Sequence, residues 1–203
     1  MKIICIGRNY AEHAKEMNAA VPSEPVFFLK PDTAIIKDNQ AFYYPAFSTD
    51  IHHEVELVLK ISKPGKNIGI DFAYKYYDEI GIGIDFTARD IQSKCKEKGL
   101  PWEKAKAFDG SAPLGKFINK EKIKDVNNIN FSLKINNVLV QQGSTKDLLF
   151  SFDAVISYVS NFITLKTGDL IFTGTPSGVG PVKIGDILSA SIENELLLNF
   201  EIK

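Results

Sequence analysis

Two carboxylates, Glu54 and Glu56, stand two residues apart in the run Ile51-His52-His53-Glu54-Val55-Glu56-Leu57-Val58-Leu59. The run is rich in β-branched and aliphatic residues and reads as a strand. Alternation places His52, Glu54, Glu56 and Val58 on one face, and Ile51, His53, Val55, Leu57 and Leu59 on the other. Ionised carboxylates side by side on a face that is turning apolar are costly unless something compensates them. A hard divalent cation would do so; a solvated strand face carrying E-x-E is the plainer alternative. Asp85 offers a third oxygen ligand. It sits at the carboxyl end of the strand Glu79–Phe86, just before a helix, a junction where binding groups collect. Three carboxylates with coordination positions left open suit magnesium or manganese. A rival metal reading joins His52 to the carboxylates, as in two-histidine, one-carboxylate iron sites. It ranks below, because only His52 shares the face and His13 is remote in sequence. His53 points the other way and reads as a structural hydrogen bonder.

Other groups could serve an anionic substrate. His13 and Glu16, three apart on a helix, share a face, either as a working pair or as part of an ordinary solvated surface. Arg89 and Gln92 share a face in the same way, and Lys106 follows in a loop. The glycine-rich loop 174–180 lacks the Gly-Lys-Ser/Thr ending of a phosphate cradle. Its glycines do let the backbone and Thr175 approach a ligand closely. Cys95, between Lys94 and Lys96, has no base placed for it and is read as a bystander.

The elements that must position these groups are mostly strands. Lys2 to Ile6 reads as a short strand, and Asn9 as the cap of a helix running to about Met17. A dinucleotide-binding start needs three glycines where this chain has one. Phe27-Phe28-Leu29-Lys30-Pro31 is a short strand stopped by its proline, and one or two helical turns fall between Asp71 and Tyr77. Thr87-Ala88-Arg89-Asp90 fits a capping box for a helix to about Lys98, and Trp102 to Gly110 reads as loop. Leu133–Ile135 and Val138–Gln142 form a hairpin about Asn136-Asn137. Phe152 to Leu165 has helical apolar spacing. Asp169–Thr173 is a strand, and Ile187–Ile192 with Leu196–Ile202 closes the chain as a hairpin.

With 203 residues, 44% of them apolar, the chain has enough for one core. Its 24 basic and 25 acidic residues balance, so neither nucleic acid nor a membrane surface is expected as a partner. No apolar run approaches the roughly 20 residues of a membrane helix, and Met1 to Ile6 is too short for a signal peptide. Two distant cysteines make no disulfide framework, so a cytoplasmic location is expected.

Together the motifs resemble the fumarylacetoacetate hydrolase family. They are Gly7-Arg8-Asn9-Tyr10 with His13 and Glu16, Phe28-Leu29-Lys30-Pro31, His53-Glu54-Val55-Glu56-Leu57, Asp85-Phe86-Thr87-Ala88-Arg89-Asp90-Ile91-Gln92, Gly99-Leu100-Pro101-Trp102 with Lys106, and Thr173-Gly174-Thr175-Pro176-Ser177-Gly178-Val179-Gly180. The likeness spans the chain in order and is greatest to the short members that act on acylpyruvates and oxaloacetate. It implies an α+β fold, a mixed β-roll with a few flanking helices. It also implies one catalytic domain over 1–203, a lid helix within 9–18, and a homodimer. By the same resemblance Glu54, Glu56 and Asp85 ligate Mg2+ or Mn2+, and His13 and Glu16 form a water-activating dyad. Lys106 becomes the cation at the reacting oxygens, with Arg89, Gln92 and Thr175 lining the substrate site. The implied activity works on small 2-oxo acids through an enolate that the metal stabilises. It covers hydrolysis of acylpyruvates to release pyruvate, and decarboxylation or keto–enol tautomerisation of oxaloacetate. The alternatives are an isomerase or decarboxylase of 2-hydroxy-dienedioates and a non-catalytic, metal-dependent dicarboxylate binder.

Overall fold

The computed structural model describes residues 1–203. Seven strands form the largest sheet, in spatial order Val26–Lys30, Ile3–Gly7, Leu170–Phe172, Val55–Ile61, Tyr77–Ile84, Ala112–Asn119 and Ile35–Ile36. Pairing is antiparallel except between Ile3–Cys5 and Leu170–Phe172, and between Ile35–Ile36 and Ala112–Pro113, which run parallel. A four-stranded sheet orders Val138–Ser144, Asn130–Ile135, Ile187–Ile192 and Glu195–Glu201; a three-stranded one orders Gly180–Pro181, Ile51–His53 and Thr87–Ala88. A few helices flank them, the longest being Arg89–Lys98 and Phe152–Ser160. The result is the expected α+β arrangement of curled, mixed strands.

The large sheet is buried on both faces. Ile4, Ile6, Leu57, Leu59 and Ile171 enter one apolar cluster, while Ile3, Cys5, Val58, Leu170 and Phe172 enter a second. Strand alternation sorts them so, and burial of both faces is why these strands read as unbroken apolar runs. Two glycines in Tyr77–Ile84 are required by close packing. A Cβ on Gly81 would lie 2.9 Å from the Phe117 ring, and one on Gly83 would lie 2.7 Å from Phe172. No helix is long and apolar enough to cross a membrane.

Several sequence expectations are corrected. The run 51–59 is not one strand: Ile51–His53 pairs in the three-stranded sheet, Val55–Ile61 in the seven-stranded one, and Glu54 sits at the break. Asn9 caps nothing. Its fully buried amide donates to Phe150 O (3.0 Å) and Thr173 O (2.8 Å) and accepts from Phe150 N. The helix Ala11–Glu16 instead begins after Tyr10 with no side-chain cap. The capping box at Thr87 does not form either. Thr87 and Ala88 are drawn into a two-residue strand, and Asp90 accepts from Ser48 Oγ and Thr49 N. Lys106 lies on a helical turn, Glu103–Lys106, rather than in open loop, and the helix expected over 152–165 ends at Ser160.

Candidate active site

A cavity of about 270 Å³ opens where the Ile51–Ile61 break, the carboxyl end of Tyr77–Ile84 and the amino-terminal helix meet. Eight of the nine residues singled out from sequence line it: His13, Glu54, Glu56, Asp85, Arg89, Gln92, Lys106 and Thr175. The ninth, Glu16, stands behind His13. His52 does not line the cavity and pairs instead with Asp50 at 2.9 Å, so the histidine–iron reading has no support here.

Glu54, Glu56 and Asp85 are all buried, and each offers an oxygen within 4.8 Å of the others. Lys106 Nζ bridges two of them, 2.7 Å from Glu54 Oε2 and 2.8 Å from Asp85 Oδ2. Arg89 Nη2 donates to Glu54 Oε1 at 2.6 Å and its Nη1 to Gln92 Oε1 at 2.7 Å. Burial pushes the Glu54 carboxyl up, but Lys106 and Arg89 outweigh it and hold the group well below the usual carboxylate range. Glu56 goes the other way. Burial and the neighbouring Asp85 raise it strongly, and the Gly174 N–H, 2.7 Å from Oε2, offsets little of this. Lys106 keeps its charge: burial works against it, but Asp85 and Glu54 lift it above the ordinary lysine value.

A cation behind the triad escaped the sequence reading. Lys30, on the end of an apolar strand, is fully buried with Nζ 2.8 Å from Asp85 Oδ1. That contact is an ion pair without hydrogen-bond alignment, because the ammonium's donors go elsewhere. They reach Ser111 Oγ (2.9 Å), Ser111 O (3.1 Å) and the Lys106 carbonyl. Asp85 Oδ1 is therefore buried with no hydrogen-bond donor. That orphaned oxygen, beside a Glu56 that resists ionisation, is what a divalent cation would satisfy. The donor set is all oxygen, which fits a hard ion.

Gln141 was also missed. Its orientation is fixed by two backbone groups whose roles are not in doubt: Oε1 accepts from Val55 N–H at 3.0 Å, and Nε2 donates to Pro176 O at 2.9 Å. Nε2 must then donate to Thr175 Oγ1 (2.9 Å), and His53 Nδ1 must carry a proton to donate to Oε1 (2.9 Å). Burial lowers the His53 pKa, consistent with a neutral ring. His53 is thus the structural hydrogen bonder expected of it. No periodic signal marks Gln141, because Val138 and Leu139 beside it are exposed while the amide is buried.

His13 Nδ1 lies 3.1 Å from Glu16 Oε2, and the other Glu16 oxygen accepts from Gly178 N–H at 3.0 Å. Glu16 thereby ties the amino-terminal helix to the glycine-rich loop. Arg8, Lys96, Phe28 and Trp102 complete the walls. Cys95 is buried and does not line the cavity, as expected of a bystander.

Residues 2–199 match the family model described as the fumarylacetoacetate (FAA) hydrolase C-terminal region. The chain is 47% identical over 201 residues to the mitochondrial oxaloacetate tautomerase FAHD1 of Mus musculus, covering 99% of this chain and 91% of that protein. It is 44% identical over 192 residues to the mitochondrial oxaloacetate decarboxylase of Dictyostelium discoideum, covering 94% and 88%. The crystal structure of fumarylpyruvate hydrolase from Pseudomonas aeruginosa, in complex with Mn2+ and pyruvate, superposes with a TM-score of 0.94 at 35% identity, covering 100% of this chain and 89% of that one.

Proposed function

The chain belongs to the fumarylacetoacetate hydrolase family, and from that premise we propose that it is a divalent-metal-dependent enzyme acting on small 2-oxo acids. The reactions are keto–enol tautomerisation or decarboxylation of oxaloacetate and hydrolysis of acylpyruvates to release pyruvate. The observation that carries this reading is the buried Glu54–Glu56–Asp85 triad with Lys106 bridging two of its members. Relatives named for oxaloacetate chemistry, and a structural neighbour holding Mn2+ and pyruvate, support it.

The roles follow from the contacts. Glu54, Glu56 and Asp85 are proposed to hold Mg2+ or Mn2+. When bound there, such an ion supplies a Lewis acid for a 2-oxo oxygen. Lys106, charged and buried, stabilises negative charge as it develops on that oxygen. Arg89, held by Glu54 and Gln92, orients the substrate carboxylate together with Gln92 and the Thr175 hydroxyl. Glu16 accepts from His13 Nδ1–H and so leaves Nε2 free to take a proton from water. In acylpyruvate hydrolysis the resulting hydroxide attacks the distal carbonyl, and the carbon–carbon bond to the pyruvate methylene breaks. In tautomerisation a proton moves between carbon 3 and the 2-oxo oxygen, and no activated water is needed. We propose residues 1–203 as one catalytic domain with 9–18 as its lid. The resemblance further motivates a homodimer, which sedimentation would test. Free thiols at Cys5 and Cys95 suit a reducing compartment, and the cytoplasm is proposed.

The test is a panel of acetylpyruvate, both tautomers of oxaloacetate and a 2-hydroxy-dienedioate, assayed with magnesium and with chelator. Glu54→Gln is expected to abolish turnover throughout. Turnover that survives both chelation and Glu54→Gln would overturn the reading. The dienedioate isomerase reading comes second because the relatives are named for oxaloacetate chemistry and because, unlike acylpyruvate hydrolysis, it gives the His13–Glu16 contact no task.

A further inference from the structure

We infer that Arg8 and Lys96 form a subsite for a second carboxylate at the far end of the substrate, so that the cavity selects dianionic over monoanionic 2-oxo acids. This rests on the functional reading above and narrows it.

The charges lining the cavity do not balance. Three carboxylates, Glu54, Glu56 and Asp85, face four cations, Arg8, Arg89, Lys96 and Lys106, and a bound dication would widen the excess. Two of the four are already committed. Arg89 pairs with Glu54, and Lys106 with Glu54 and Asp85. Arg8 and Lys96 have no carboxylate at ion-pair distance. Lys96 has the Trp102 ring, 5.6 Å from its Nζ, as a neighbour. Partial burial and Arg89, with Arg8 and Lys106, disfavour the Lys96 charge, and Glu54 opposes them. Cations that crowd one another at a cavity wall are relieved by an anion.

The backbone at Arg8 points the same way. Its φ is +58°, in the left-handed region that side chains rarely adopt. Such strain survives where the surroundings hold it, and it collects at ligand clamps. Here the turn after the strand Ile3–Gly7 sets Arg8 at the cavity wall. With the carboxylate and 2-oxo oxygen of a substrate at the triad and Lys106, a monoanion leaves Arg8 and Lys96 unpaired. A molecule with a carboxylate at each end pairs both.

The probes are L-malate and L-lactate, two unreactive 2-hydroxy acids that share one end and differ in the far carboxylate. Titration calorimetry on the magnesium-loaded full chain should show malate bound at least about tenfold more tightly than lactate, the scale of one added charged hydrogen bond. Arg8→Met and Lys96→Met should each weaken malate by roughly three- to tenfold and shift lactate by less than about twofold. Lys96 is exposed on its helix, so Lys96→Met keeps the test open should Arg8→Met fail to fold. Equal losses for both ligands, or a wild type indifferent to the far carboxylate, would overturn the subsite and leave the two cations as general attraction for anions. Oxalate separates this failure from that of the functional reading. Magnesium-dependent oxalate binding without malate preference sinks the subsite alone; no such oxalate binding sinks both.

Discussion

Lys30→Met is expected to destabilise the metal-free protein by about 3–5 kcal/mol, the range for removing one partner of a buried ion pair. The side chain is fully buried, and its ammonium stands 2.8 Å from Asp85 Oδ1 while donating to Ser111 Oγ, Ser111 O and the Lys106 carbonyl. Methionine fills much the same space but leaves Asp85 charged with only Lys106 opposing it, while the Ser111 and Lys106 carbonyls keep one donor each, Phe86 N–H and Ser111 Oγ–H. The pair-breaking range therefore stands for the whole. It is a large share of a typical total stability of about 5–15 kcal/mol. At roughly 2–4 °C per kcal/mol for a chain of this size, the melting point should fall by roughly 6–20 °C. Urea unfolding in chelator, followed by the fluorescence of Trp102, the chain's one tryptophan, measures it directly. Saturating magnesium should recover part of the loss, because a dication at the triad compensates Asp85 in place of Lys30. A variant within about 0.5 kcal/mol of wild type, the scale of an ordinary surface change, would refute the role of Lys30. A loss of the same size with and without magnesium would refute the charge-compensation account.

His13→Ala should cost about 10²–10⁴-fold in acylpyruvate hydrolysis, the usual worth of a positioned base, and much less in oxaloacetate tautomerisation; equal losses in the two assays would remove the dyad assignment. Glu56, raised by burial and Asp85, binds more protons folded than unfolded above the ordinary carboxylate range, so its share of metal-free stability falls as pH rises. Glu54, held low by Lys106 and Arg89 against burial, contributes above that range and loses its share as pH falls. Magnesium uptake above the ordinary carboxylate range should therefore expel protons, read by calorimetry in buffers of different ionisation enthalpy; no buffer dependence would contradict it. Residues 9–18 should gain hydrogen-exchange protection when oxalate and magnesium are added, and unchanged protection would count against a lid.

How much of this is legible in the sequence depends on whether a group announces itself by local spacing. Glu54 and Glu56 did, because a strand repeats every two residues, and Asp85 did, because it ends a strand ahead of a helix. His13 and Glu16 did, since three residues apart on a helix means one face. What local spacing did not carry was the break at Glu54, where two sheets meet, since each half alone is a plausible strand. Lys30 read as the edge of an apolar strand, and nothing in the strand period says that a lysine's end will bury 55 positions away in sequence, at Asp85. Gln141 ran against its surroundings, a buried amide beside exposed Val138 and Leu139. A bulge between Leu139 and Gln141 shifts the pairing register there and breaks simple alternation. Asn9 was credited with a cap because its type favours one, whereas tertiary partners at Phe150 and Thr173 claimed the amide.

The fixed amide of Gln141 gives the cavity a chemical polarity as well as a shape. Thr175 Oγ1 already accepts from that amide, which leaves its own proton and one further lone pair for other partners. A carboxylate oxygen or a carbonyl in the cavity would take that proton. Part of what the cavity offers a ligand is thus set by Gln141, a side chain that does not line it.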